Sequence, residues 1–221
     1  HLDWLEANVS IPIHRVTAGD LRADALESEM LGTKSQGKRW ASMPLFTLSP
    51  EGKAGIIRRQ CTAEYKIQPI TKKLRSLLGY KPRQRIPVGS LEQWFGISSD
   101  EVYRMRDAKD RWITNYYPLV LGPRPYTRKG CHVWMEERGF PKPTRSACIG
   151  CPFHSDTEWR SIKQDPKLWA DAVEFDESIR NCGGMRGQIF LHRSCVPLAE
   201  IDFSNIEDKG QRNWLNECEG M

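Results

Sequence analysis

Apolar positions along this chain come in short bursts, and their spacing changes from one burst to the next. Trp4, Leu5 and Ala7 read as the end of an amphipathic helix, and residues 10–17 (Ser-Ile-Pro-Ile-His-Arg-Val-Thr) as a short buried strand. Residues 21–31 fit a helix with Asp20 as its N-cap. A long loop with Lys34, Lys38 and Arg39 is expected over residues 32–50. Helical spacing returns at 62–78, where Tyr65, Ile70, Leu74, Leu77 and Leu78 share a face and Pro69 interrupts or restarts the turn. A second strand is expected at 93–97. Ser98 or Ser99 then caps a helix over 100–106, with Glu101 in its first turn.

Beyond Tyr117-Pro118-Leu119 the periodicity fades, and Gly, Pro and Cys dominate as far as Pro152. That stretch is expected to be irregular backbone held by something other than a core. Residues 156–179 return to a helix through Trp159, Ile162, Leu168, Trp169, Ala172 and Val173. Ile189-Phe190-Leu191 suits a last strand or a docking segment. Alternating strands and helices predict an α/β fold with a mainly parallel sheet. The composition shift divides it into an α/β domain over 1–119, of a kind that suits nucleotide binding, and a Cys-rich segment, helix and C-terminal tail over 120–221.

Charge sharpens this picture. The net charge of +5 on 221 residues is modest, but ten Lys or Arg crowd residues 53–85 against one acid, Glu64. Such a field attracts phosphate, from a nucleotide or from a nucleic-acid backbone; a plain solvated face is the competing reading. No run approaches the ~18 apolar residues of a membrane span, and the first residues carry acids rather than a secretory h-region. A cytoplasmic protein without membrane contact is therefore expected. The chain starts as if in mid-helix, so further residues are expected upstream of His1.

Seven cysteines complete the set of candidate groups. Their odd number and the reducing compartment expected for the chain argue against disulfides and toward metal ligation or thiol chemistry. Cys148-Ile149-Gly150-Cys151 is the strongest local signal, because a C-x-x-C turn presents two thiolates to one centre. Cys61 and Cys131 bring the candidate ligands to four sulfurs, which suits either a [4Fe–4S] cluster or structural Zn²⁺, and spacing alone leaves both open. His132 and His154 adjoin this set but are read as lying outside the ligand shell. Cys182 and Cys195 are expected to be buried free thiols, and Cys218 a reactive thiol near a chain end.

Several segments, in order, resemble the phosphoadenosine phosphosulfate (PAPS) reductase family, which includes phosphorothioation sulfurtransferases within the PP-loop superfamily. The segment Arg59-Gln60-Cys61-Thr62-Ala63-Glu64-Tyr65-Lys66-Ile67-Gln68-Pro69-Ile70 is similar to the family's C-C-x-x-R-K-x-x-P-L. Gly96-Ile97-Ser98-Ser99-Asp100-Glu101 with Arg104 resembles G-I-R-x-D-E-S. Tyr117-Pro118-Leu119 matches Y-P-L, Cys148 and Cys151 the later cysteine pair, and Glu217-Cys218 the start of the E-C-G-L-H tail.

The resemblance implies a Rossmann-like parallel sheet of the adenine-nucleotide α-hydrolase type and a [4Fe–4S] cluster. It also implies an adenine nucleotide (ATP, or PAPS/APS) bound near Arg59, Lys66, Asp100 and Arg104. The chain departs from the pattern in having Cys61 alone where clustered reductases have a Cys-Cys pair, which leaves Cys131 to supply the missing ligand. Tyr65 stands where the pattern has Arg, and the glycine-rich pyrophosphate loop is not within the chain. Three functions follow as expectations. One is ATP-dependent activation of an acceptor for sulfur transfer, with nucleic acid met through the 53–85 stretch. Another is sulfonucleotide reduction with Cys218 as catalytic thiol and a redox protein as partner. The third is a non-catalytic binding protein with a structural cluster.

Overall fold

In the computed structural model, residues 2–27, 43–143, 147–181 and 187–204 are described. The chain folds as two compact units interleaved along the sequence. One comprises His1–Arg15 and Lys72–Arg145, the other Val16–Thr71 and Ser146–Met221. The first, with an excess of Lys and Arg, is the cationic unit; the second, with most of the buried apolar side chains, is the core unit. The 53–85 basic stretch is split between them, with Lys53, Arg58, Arg59 and Lys66 in the core unit and the rest in the cationic unit.

The core unit contains helices α2 (Leu21–Glu27), α6 (Asp156–Lys163) and α7 (Pro166–Ile179) and strands β1 (Phe46–Leu48), β2 (Ala54–Ile56) and β5 (Gln188–Phe190). The three strands form an antiparallel sheet in the order β2-β1-β5, with Phe46 opposite Ile56 on one side and Phe190 on the other. A cluster of Leu45, Trp159, Ala172, Phe175, Ile179, Ile189, Leu191 and Leu198 is sealed from solvent beneath these elements. Asp20 caps α2 as expected, its Oδ1 accepting from the N–H groups of Arg22 at 2.9 Å and Ala23 at 3.2 Å. The helix expected over 156–179 is two helices, because Pro166 cannot donate to the preceding turn and Asp165 caps the second helix through Lys167 N and Leu168 N.

Expectations elsewhere in this unit need two corrections. Strands β1 and β2 fall where a loop was predicted or no element was assigned, since three-residue strands are too short to show a period. The 62–78 helix begins as a π-turn over Ala63–Ile67, with Gln68 N–H reaching Ala63 O, and continues as α3 (Gln68–Leu77). The widened turn lies directly before Pro69, which has no N–H for an α-type bond. Helix α3 also carries the chain from the core unit into the cationic one.

In the cationic unit, β3 (Leu91–Trp94) and β4 (Ile113–Tyr116) form a parallel pair in which Trp94 faces Tyr116 with ring centroids 5.4 Å apart. Tyr117 is buried beside them, and its hydroxyl is satisfied by accepting from Arg106 N–H at 2.8 Å and donating to Arg106 O at 2.5 Å. The remaining elements are α1 (Leu2–Asn8), a 3₁₀ turn at Ser99–Arg104, α4 (Pro118–Leu121) and α5 (Arg128–Glu137). Residues 10–17 form no strand. Their alternation is fragmented by Pro12 and His14, and no neighbouring strand offers them a ladder. Helix α5 falls inside the stretch read as irregular, where Gly130 and the flanking prolines obscured a ten-residue helix capped by Thr127.

Among the described residues the fold is therefore mixed α/β with two small open sheets, one antiparallel and one a parallel pair. Among the described residues no helix is long and apolar enough to cross a membrane.

Candidate thiol centre

The C-x-x-C loop of the core unit is a tight turn, closed by Cys151 N–H donating to Cys148 O at 3.1 Å. Gly150 lies so close to α7 that a Cβ there would stand 2.6 Å from Phe175 Cδ1. The loop thus rests on the hydrophobic core at a position where any Cβ would force Phe175 or the loop to shift. Ile149, beside it, packs on the same cluster.

His154 secures the loop from below. Its Nε2 lies 2.8 Å from Cys148 O and 3.1 Å from Ile149 O, and because carbonyls only accept, this nitrogen carries the hydrogen. Its ring meets Trp159 edge-on at 4.9 Å, and Trp159 is fully buried. Ser155 and Glu158 form a reciprocal capping box that starts α6 immediately after. Within the sequence motif Cys148-x-x-Cys151-x-x-His154, the histidine holds the backbone carbonyls of the turn.

Cys61 sits at the head of the π-turn. Arg59, two residues earlier, donates to Thr62 Oγ1 at 2.5 Å and lies 5.6 Å above the Phe153 ring. Tyr65, on the turn itself, donates to Asp24 Oδ2 at 2.5 Å and so fixes the turn to α2. Burial pushes the Cys151 thiol above its ordinary range; Cys148 and Cys61 add to the rise, while a hydrogen bond from the Phe153 backbone and the Arg59 charge oppose it. Cys148 and Cys61, from two distant parts of the sequence, thus both bear on Cys151, with the Arg59 guanidinium beside them. Cys148 is exposed, and Cys61 and Cys151 are half-buried. These are the donor atoms that thiolate-bound metals take. Among the described residues, no group of three or more His, Cys, Asp or Glu is already arranged to hold a metal ion.

The other expected site residues are placed differently. Cys131 lies in α5 of the cationic unit, half-buried, its thiol raised first by burial and then by the charge of Asp100. Asp100 accepts from Arg128 N–H at 3.0 Å and so ties the 3₁₀ turn to the start of α5. Hydrogen bonds from Ser98 and from that N–H hold its carboxyl below the usual range. Arg104 donates to Glu101 at 2.8 Å, and Lys66 is exposed on the π-turn. Cys195 is a buried free thiol as expected, with the unusual φ of 53°. Cys182 and Cys218 lie outside the described residues.

Sequence reasoning missed the buried charges that frame this site. Asp156, fully buried at the start of α6, meets His192 Nε2 at 3.0 Å and Arg193 at 2.5 Å. Asp176 on α7 accepts from Leu191 N–H at 2.8 Å and Leu198 N–H at 3.0 Å and pairs with Arg180. In sequence, Asp156 reads only as an acid at a helix start and Asp176 as one polar residue on a long helix. The available signal was the His192-Arg193 pair directly after a short apolar run.

No protein-family model, no curated protein and no solved structure matches this chain.

Proposed function

We propose that the core unit holds a [4Fe–4S] cluster on Cys61, Cys148 and Cys151, in a cytoplasmic enzyme of the PAPS reductase kind that acts on an adenine nucleotide. The observation that carries this reading is the tight C-x-x-C turn seated on the core at Gly150, with Cys61 and Arg59 close enough to bear on the charge of Cys151. Three thiols sharing one neighbourhood repel as thiolates, and a bound cation relieves that repulsion. When present, such a cluster supplies thiolate-bound iron for electron or sulfur chemistry. The chain's own residues would do the rest: Arg59 and Lys66 hold phosphate oxygens, and the Gly150 loop keeps the two C-x-x-C sulfurs fixed on the core.

A Rossmann-like nucleotide fold is part of this proposal, supported by the parallel β3–β4 pair and the ordered motifs around it. The favoured activity is ATP-dependent activation of an acceptor for sulfur transfer. Sulfonucleotide reduction through Cys218 is the second reading, which the E-C tail favours.

Anaerobic purification followed by iron, sulfide and zinc analysis tests the centre directly. The expected product is brown, with matched iron and acid-labile sulfide, and Cys148→Ser abolishes both. A colourless protein carrying one tightly held zinc would falsify the cluster. With a cluster present, Cys218→Ser separates the activities: sulfite release is lost only if the reductase reading holds.

A further inference from the structure

The cationic unit carries a second site that the thiol centre does not use. Along one face of α5 runs an open groove of about 580 Å³, within the range of ligand sites. Tyr126 and Trp134 supply aromatic surface, Val133 an apolar floor, and Lys129 and Arg138 the charge. The spacing explains part of the arrangement: Gly130, Trp134 and the C-cap Arg138 recur every four residues along one side of the helix, and Tyr126, just before the Thr127 cap, lies against Gly130. A Cβ at Gly130 would stand 3.7 Å from Tyr126 Cδ1, an ordinary contact, so the Tyr126 ring lies directly against this turn of the helix. Arg138 is held over Trp134, its guanidinium carbon 4.1 Å from the ring centroid and its Nη1 donating to Trp134 O at 3.2 Å. Glu137, which also lines the groove, pairs with Arg138 at 3.8 Å.

Large apolar side chains are usually buried, yet Trp134 is 38% exposed, and on the same unit Trp94 is 64% and Tyr103 47% exposed. The unit has 17 Lys and Arg against 9 Asp and Glu, a net +8. Exposed rings set among fixed cations are what a single-stranded nucleic acid needs, because every base has a face to stack and every link a phosphate to neutralise. We propose that the α5 groove binds single-stranded nucleic acid, successive bases stacking on Trp134 and on Tyr126 and the flanking phosphates meeting Lys129 and Arg138. A polymer fits better than a free nucleotide, since a charge of this size spread over one unit exceeds what a single nucleotide neutralises. The inference does not rest on the thiol centre and stands whether or not that centre holds iron.

The test is fluorescence anisotropy of the full chain with a labelled oligothymidine across a salt series. Binding is expected to weaken steeply as salt rises. Trp134→Ala should weaken it about tenfold, the loss of one stacked base, and Trp134→Phe should restore most of the affinity. Lys129→Ala, at an exposed position, should flatten the salt slope by about one phosphate contact. Circular dichroism melting confirms that the variants fold. Absence of binding, displacement by poly-glutamate or by ATP as readily as by unlabelled oligonucleotide, or full affinity in both folded alanine variants would each overturn the proposal.

Discussion

The core unit and the cationic unit solve opposite problems with the same alphabet. Of the 18 buried apolar side chains among the described residues, 15 belong to the core unit and only Ile86, Trp112 and Tyr117 to the other. Of the 18 large apolar side chains left exposed, 11 are in the cationic unit. Charge divides the same way: the core unit has 16 Lys and Arg against 19 Asp and Glu, a net −3, beside the +8 of its neighbour. The core unit hides several of its charges, each paired and hydrogen-bonded, and uses them as internal fasteners. The cationic unit displays both its charge and its rings. A whole-chain pI near 8.8 averages away this contrast. One unit is built to hold its own atoms in place, the other to meet something else.

The sharpest way to break this comparison is to remove a fastener. Asp176→Ala strips two backbone N–H groups of their acceptor and leaves Arg180 buried beside Phe190 without its carboxylate. Breaking a buried pair from one side costs about 3–5 kcal/mol, because the remaining charge is uncompensated. The urea midpoint should fall accordingly. A loss below about 1 kcal/mol, the scale of an exposed pair, would mean that the buried charges do not hold the core unit together. A smaller effect is expected at Gly150. There Ala must displace Phe175 or the loop, an overpacking cost of about 1–3 kcal/mol. Because the same shift moves Cys148 and Cys151, metal content should fall with stability; normal stability and metal loading would show that the loop does not depend on this contact.

How much of this was legible in the sequence depended on the range of the interaction concerned. Asp20, Thr62 to Leu78 in outline and the α6–α7 stretch were readable because caps and helical faces are local. Strands β1 and β2 were not, since their identity comes from pairing across the sheet rather than from three residues of pattern. Helix α5 was hidden because a Gly-, Pro- and Cys-rich composition outweighed a helical spacing that runs through Gly130. At the site, the C-x-x-C turn was plain from its own four residues, whereas Cys61 was drawn to it only by the need for further sulfurs to complete a centre. Asp156 and Asp176 went unmarked because, Arg180 at i+4 of Asp176 aside, their partners lie 15 to 37 residues away. Charge asymmetry between the units was equally invisible, because the units are interleaved and a running count along the chain crosses their border inside α3.

The mildest perturbation is a change of pH, and it addresses the core unit through His192. Burial depresses the basicity of this imidazole, outweighing the hydrogen bond and charge of Asp156, which act the other way; Arg193 depresses it further. A histidine whose basicity is lowered by folding binds its proton more readily when the chain is unfolded. The unfolded chain begins to take up that proton near pH 6.5, while the folded one does so only at lower pH. Stability from this source is therefore complete above about pH 6.5 and declines as pH falls toward the folded value. Urea midpoints measured between about pH 7.5 and 5 should drop gradually. His192→Gln, which can still donate to Asp156, should flatten that part of the profile. If wild type and variant trace parallel curves, the proton is being taken up elsewhere, and the buried network around Asp156 is not what makes the core unit sensitive to mild acid.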